Sequence, residues 1–320
     1  MIATETGATF ACFGGKCAVR VAGDEAANAV AAARRRLLDW HARFTRFDPA
    51  SELSRFNADA RDAVPVSSLL AQLATVSVNA AELTGGLVDA MMVGEIERAG
   101  YTSELGVPLP LPIALRLAPV RRPAAGRAAA PWRQLHVDGL TIHRPPGLML
   151  DSGGLAKGLF ADLLAERLAG HSSFAVDCGG DLRFGGRRRT LEVADPFGGP
   201  GLHVFEISEG AAATSGIGKR SWLDGDGRPA HHLLDPATGR PAFTGVVQAT
   251  ALAPTAVEAE WRAKAALLSA DASWLAAHGG LVVFDDGHRD LVHAGTHPGR
   301  VESPSGTRCA RASAAAGTSS

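Results

Sequence analysis

The chain has 320 residues, 46% of them hydrophobic and 20% charged, enough apolar material to bury a full core and too little charge density for a disordered chain. Its formal net charge of −1 supplies no global field for nucleic acid or anionic membranes, so neither is expected as a partner. An anionic ligand would have to be held by local geometry.

The first residues, MIATETGATFACFGG, show no basic segment leading into a long apolar one, and no run of about eighteen apolar residues occurs anywhere. Neither a signal peptide nor a membrane span is expected, and the chain reads as cytoplasmic. The cysteines, Cys12, Cys17, Cys178 and Cys309, have no CxxC spacing and no histidines at zinc spacing, which suits reduced thiols better than disulfides or a metal site.

Apolar residues at helical spacing predict a first long helix over 24–44, with the basic run Arg34 to Arg36 on a solvated face. A second helix is expected from about Ser67 to Leu83, stopped by Thr84-Gly85-Gly86. From Val107 to Arg133 the chain turns to Pro, Leu, Ala and Arg, read as a short helix followed by a surface insertion. QLHVDGLTIHR and PGLML then read as short strands, with Asp138-Gly139 as a hairpin turn. The small polar residues from Ser303 onward have nothing to bury and are expected to form a disordered tail. Strands and helices do not alternate in a βαβ manner, so the expected class is α+β with a largely antiparallel sheet, in a single domain over 1–302.

Between PGLML and a helix expected over 156–169 stands DSGGLAKG, residues 151–158. The Gly pair lets the chain turn sharply and lets a ligand approach backbone N–H groups at a helix start, while Lys157 adds a point charge and Asp151 an acceptor. The spacing is neither Walker A nor GxGxxG, so the stretch suits an anion cradle or a plain Gly-rich turn about equally. Only four lysines stand against 28 arginines, which sets Lys157 apart from background. FAVDCGG (174–180) repeats the pattern of apolar run, Asp, small residue, Gly, Gly. It continues into Asp181 and LRFGG, which makes it a tight β connection in which Asp181 is by default a turn residue. AAATSGIGKR (211–220) suits a crowded sheet or a close ligand approach. In HHLLDPATGRP (231–241) a short strand meets a Pro and Gly turn, with His232 and Leu234 on one face. His232 is either a general base or an ordinary polar residue. Finally Thr255 and Glu258 have the spacing of a capping box, and Glu260 and Lys264 stand four apart on the helix that follows. They form a helix-face ion pair or part of a phosphate or metal site.

Taken in order, FDPASELSRFNA (47–58), ELTGGLVDA (82–90), DSGGLAKG, VDCGGD (176–181), ATSG (213–216), HHLLDPATGRP and ALAPTAVEAE (251–260) resemble the successive signatures of the ApbE family of FAD:protein FMN transferases. The resemblance implies an α+β, T-fold-like architecture, FAD and Mg²⁺ as ligands, and transfer of FMN to a Ser or Thr hydroxyl of an acceptor flavoprotein with release of AMP. It puts Asp151, Lys157 and Asp181 on FAD and a metal on the main-chain carbonyl of Gly154. Leu234 and Ala99-Gly100-Tyr101 would line the flavin or adenine pocket, Phe47 and Phe13 would take ring positions, and His232 would be the catalytic base. Two departures stand out. Asp177 replaces the usual Asn before the Gly pair and needs a donor or a cation nearby. Glu260 and Lys264 correspond to a metal-binding Asp and Thr. Glu can ligate Mg²⁺ through oxygen, but an ammonium has no lone pair, so either the cation is held by fewer protein ligands and more water, or Lys264 stands in as the positive charge; the second is expected here, with Lys157 and Lys264 together replacing part of the metal's charge at the diphosphate. Two other functions suit the same signatures: a metal-dependent FAD diphosphatase using water as acceptor, and a non-catalytic flavin-binding protein with an altered metal site.

Overall fold

The computed structural model describes residues 4–295; Cys309 and the tail expected from Ser303 lie outside them. Eight strands form the main sheet: β1 (Glu5–Cys12), β2 (Gly15–Ala22), β3 (Ser173–Cys178), β4 (Asp181–Gly185), β5 (Gly210–Gly216), β6 (Val246–Ala253), β7 (Gly280–Phe284) and β8 (Arg289–Val292). They lie side by side in chain order, and every neighbouring pair is antiparallel. The α+β expectation with an antiparallel sheet therefore holds.

The sheet turns where the sequence supplies positive φ. Phe13 and Gly14 join β1 to β2 at φ 54° and 67°, and Gly179 and Gly180 join β3 to β4 at 70° and 101°. FAVDCGGD is thus the tight β connection its residues suggest. Because Cys17 faces Cys178 across β2 and β3, the two turns lie together at one end of the sheet.

Among the described residues seven α-helices accompany the sheet: α1 (Ala26–Phe44), α2 (Glu52–Ala58), α3 (Ser68–Leu83), α4 (Val93–Arg98), α5 (Leu111–Leu117), α6 (Ala156–Leu168) and α7 (Ala256–Ser269). α1 packs on β1 and β2, α6 on β3 and β4, and α7 on β5 and β6, with α6 against α7. Arg34, Arg35 and Arg36 are exposed on α1, as expected, while Val30, Leu37, Trp40 and Phe44 are buried. Phe44 packs on Phe160 of α6, and Leu37, Leu70, Leu164 and Val176 belong to the same core, each apolar side chain worth roughly 1.5–3 kcal/mol of transfer. Small residues serve the centre: Ala211, Ala212 and Ala213 of β5 are buried, which admits α7 on one face. On the other face Ala212 and Phe184 meet Ile207 of a hairpin formed by Arg189–Val193 and His203–Ile207.

Two expectations need correction. Leu148 to Leu150 form no strand. Both backbone groups of Leu150 are taken by one side chain, Asn57, whose Nδ2 donates to the carbonyl at 2.9 Å and whose Oδ1 accepts from the N–H at 2.8 Å. Nor is the stretch from Val107 to Arg133 a surface insertion throughout. After α5 it runs across a second core, to which Ala124, Val247, Leu267 and Leu268 belong; the Ala124 N–H donates to Leu268 O at 2.7 Å and Arg121 pairs with Asp285 at 2.7 Å. Trp132 is buried. The Asp138-Gly139 hairpin does form, between His136–Asp138 and Thr141–His143, and Ala63–Pro65 adds a third strand. Among the described residues no helix is long and apolar enough to cross a membrane.

Candidate active site

A cleft of about 330 Å³ opens where the Phe13-Gly14 turn meets the start of α6, a volume within the roughly 300–1,000 Å³ common for ligand sites. Of the residues singled out in the sequence, Phe13, Phe47, Tyr101, Asp151, Gly154, Lys157, His232, Leu234 and Lys264 line it. Ala99 and Gly100 are not lining residues. They pack under Trp222, whose indole N–H donates to Ala99 O at 2.7 Å, and so support Tyr101 from behind.

One half of the cleft is aromatic. The Phe47 and Tyr101 rings meet edge to face at 5.4 Å, and the Arg46 guanidinium lies 4.6 Å from both centroids. Arg46 also donates to Tyr101 O and reaches to 3.8 Å from Asp151. Met92, Ile96 and Leu234 pack beside Tyr101, which gives this half a flat apolar wall.

The other half is cationic. DSGGLAKG forms the turn before α6, fixed by Asp151 N–H donating to Ala90 O at 2.8 Å and by the Ser152 hydroxyl donating to Phe44 O at 2.7 Å. The partly positive end of α6 thereby opens on the cleft, with Lys157 in its first turn. Lys219 and Arg220, just beyond β5, complete this wall, and Arg220 donates to the carbonyl of Phe13 at 2.7 Å. That bond holds Phe13 in its left-handed conformation, uncommon for a bulky residue.

Beneath this wall four charges are buried together. Lys157 donates to Asp181 and lies 3.4 Å from Glu260 Oε1. Lys264 donates to the same Glu260 oxygen at 2.6 Å and to Gly154 O at 2.5 Å, and the other Glu260 oxygen accepts from the Gly158 N–H at 2.9 Å. Burial would raise the Glu260 carboxyl, but the two lysines and the Gly158 N–H hold it down to about 2. Asp181 has less support, and burial with repulsion from Glu260 pushes it up to about 7. Burial lowers the Lys264 ammonium against the pull of Glu260, whereas Asp181 and Glu260 together raise Lys157 despite its burial. The Glu260 and Lys264 pair is therefore a core element and not a surface ion pair: removing either partner would strand a buried charge.

His232 stands between two short ribbons, Pro229–His231 and Leu234–Asp235, and its N–H donates to Arg220 O at 3.3 Å. Burial, with Arg220 beside it, drives its pKa well below 6.5, so the ring is neutral at pH 7. Its Nδ1 is buried without a hydrogen-bond partner among the described residues. The chain's passage between ribbons breaks the expected alternation, since His232, Leu233 and Leu234 all line the cleft.

The other departure, Asp177, caps its own turn: Oδ1 accepts from the Gly180 N–H at 2.8 Å. The added charge has its donor. Arg46, Asp89, Lys219 and Arg220 line the cleft without having been singled out. The rarity of lysine was a usable signal for Lys219, Arg46 and Asp89 adjoin or lie within motifs already noted, and Arg220 closes AAATSGIGKR, read only for its small residues.

A model of the ApbE family matches residues 13–281. The FAD:protein FMN transferase of Treponema pallidum is 33% identical over 155 residues, 40% of this chain and 42% of that protein. The protein of the same name from Vibrio cholerae is 29% identical over 223 residues, 66% of this chain and 64% of the relative. The chain thus spans between 42% and 64% of the length of these relatives. Among solved structures, the ApbE protein of Thermotoga maritima superposes with a TM-score of 0.75 at 24% identity, over 90% of this chain and 97% of that one. The flavin transferase ApbE of Vibrio cholerae gives 0.70 at 22% identity, over 91% and 97%. The matched span begins at Phe13 and passes through both Gly turns, the His232 ribbons and the helix of Glu260 and Lys264, and on that extent the chain belongs to the ApbE family.

Proposed function

We propose that this protein moves FMN from FAD to a Ser or Thr hydroxyl of an acceptor protein and releases AMP. The observation that carries the reading is His232: a neutral imidazole with an unpartnered buried Nδ1, in a cleft whose aromatic half suits a planar ring system and whose cationic half suits a diphosphate. In this reading His232 takes the proton of the acceptor hydroxyl as its oxygen attacks the phosphorus on the flavin side of the diphosphate. The new O–P bond forms, the bridging P–O bond breaks, and AMP leaves with that oxygen. Lys157 and Lys264 balance charge on the diphosphate, and Phe47, Tyr101 and Leu234 seat the ring system. Asp151, held near Arg46, offers an acceptor to FAD.

Family resemblance also implies Mg²⁺, a hard ion that needs near-octahedral oxygen ligands. The residues present do not fit it. Gly154 O and Glu260 Oε1, the oxygens assigned to it, both accept from the Lys264 ammonium.

Incubation with FAD and an acceptor domain tests the proposal. AMP together with protein-bound flavin is the expected result. Free FMN with AMP would instead mark a diphosphatase, and retained FAD without AMP a binding protein.

A further inference from the structure

We propose that the Lys264 ammonium is this protein's built-in cation, so that it binds the FAD diphosphate without a divalent metal. The inference rests on the FAD reading of the cleft, but its central observation is independent of turnover. Lys264 Nζ sits between two oxygens from different elements, Gly154 O in the turn before α6 at 2.5 Å and Glu260 Oε1 on α7 at 2.6 Å. Two hard oxygens converging on one point are what a small cation requires, and here a covalently attached ammonium fills that point.

Charge and valence both favour the lysine over a metal. With both lysines and Glu260 ionised, the cluster is neutral when Asp181 is ionised and singly positive when Asp181, pushed up to about 7, holds its proton. A divalent ion beside them would leave the buried cluster at least doubly positive and within a few ångströms of the resident ammonium, a repulsion with little solvent to screen it. Glu260 has no oxygen to spare, since Oε1 meets both lysines and Oε2 takes the Gly158 N–H. An ammonium carries three donors, of which Gly154 and Glu260 take two. The third remains for a phosphoryl oxygen, and Lys264 is a lining residue of the cleft. Lys157 has a different part, because Asp181 engages it directly and it reaches Glu260 Oε1 only at 3.4 Å.

The test compares the full chain with a Lys264→Thr variant, which replaces the ammonium by a neutral oxygen ligand facing Gly154 O and Glu260. FAD affinity is measured by calorimetry in EDTA and in MgCl₂, and Mn²⁺ uptake by electron paramagnetic resonance without FAD. The wild type should hold FAD equally in both buffers, within about twofold, and take up no Mn²⁺ at the site. In the variant, FAD affinity should fall by about tenfold or more in EDTA and recover in MgCl₂, with one Mn²⁺ bound. Loss of wild-type FAD binding on chelation, or Mn²⁺ uptake by the wild type that Lys264→Thr does not increase, would overturn the proposal. The wild-type measurements decide even if the variant does not fold. FAD held in EDTA without AMP release would support the built-in cation while defeating the transferase reading.

Discussion

Asp162 of α6 grips the first turn of α7 with both carboxylate oxygens, accepting from the Ala256 N–H at 2.8 Å and the Val257 N–H at 3.0 Å. The helix that carries Glu260 and Lys264 is thereby registered against the helix that carries Lys157. Thr255 adds the ordinary cap, its hydroxyl accepting from Glu258 N–H at 3.2 Å, but Glu258 does not complete a capping box and pairs with Arg262 at 2.8 Å instead.

Truncating this grip should loosen both stability and site. Asp162→Ala is expected to cost about 1–2 kcal/mol, the range for a lost helix cap, and to weaken FAD binding although the residue does not line the cleft. Urea unfolding and calorimetric titration of FAD check the two parts. A variant of unchanged affinity would show that the registration does not matter to the site.

The same seam has no room for a methyl group. A Cβ at Gly158 would stand 2.8 Å from the backbone Ala256 O, 2.9 Å from the backbone carbon of Ala256, and 2.9 Å from the side-chain Glu260 Oε2. Gly158→Ala should cost about 1–3 kcal/mol through overpacking and displace Glu260 from the backbone N–H it accepts. The denaturation midpoint should fall; an unchanged midpoint would mean that α6 and α7 part without penalty.

His232→Gln separates chemistry from binding. FAD affinity should stay within a few fold, while AMP release in the presence of acceptor should fall by about 10²–10⁴-fold, the span of a lost general base. Because burial and Arg220 keep the imidazole pKa below 6.5, the wild-type acid limb should lie at a pH lower than 6.5. An acid limb above that value would assign it to another group.

His231 predicts an acid sensitivity of the fold itself. It is 1% exposed, its ring packs on Phe243, and burial brings its pKa from 6.5 down to about 3. Between those values the unfolded chain binds a proton that the folded chain refuses. Stability from this group is therefore complete above pH 6.5 and is lost as pH falls toward 3, by an amount on the order of a few kcal/mol. Unfolding curves from pH 7 to 4 should be flatter for His231→Leu than for wild type; parallel curves would place the acid sensitivity elsewhere.

The sequence legibly marks what local chemistry controls. Periodicity and stop signals located α1, α3 and α6 to within two residues, the Thr255 cap located the start of α7, and Gly179-Gly180 announced the β3–β4 turn because only a short left-handed stretch closes it. What stayed hidden depends on distant partners. Asn57 binding both backbone groups of Leu150 turns an apparent strand into irregular chain, and no pattern within 148–150 encodes a residue 93 positions away. Pro, Ala and Arg suggest a surface for 107–133, yet Ala124 finds a free carbonyl on α7's last turn, at Leu268. At the site, Glu260 and Lys264 were visible as a helix pair. Their meeting with Gly154 and Lys157 needed the seam between two helices, and Arg46 needed the two rings that enclose it.

Three of the chain's four lysines, Lys157, Lys219 and Lys264, line the one cleft, and only Lys16 lies elsewhere. The positive surface outside it is arginine, which amine reagents ignore. Side-chain acylation of this protein is therefore a report on its ligand site: mass spectrometry after mild treatment with an activated ester should find Lys16 labelled throughout, and Lys219 labelled in proportion to the empty fraction. A footprint that on most proteins averages over the whole exterior becomes here an occupancy gauge.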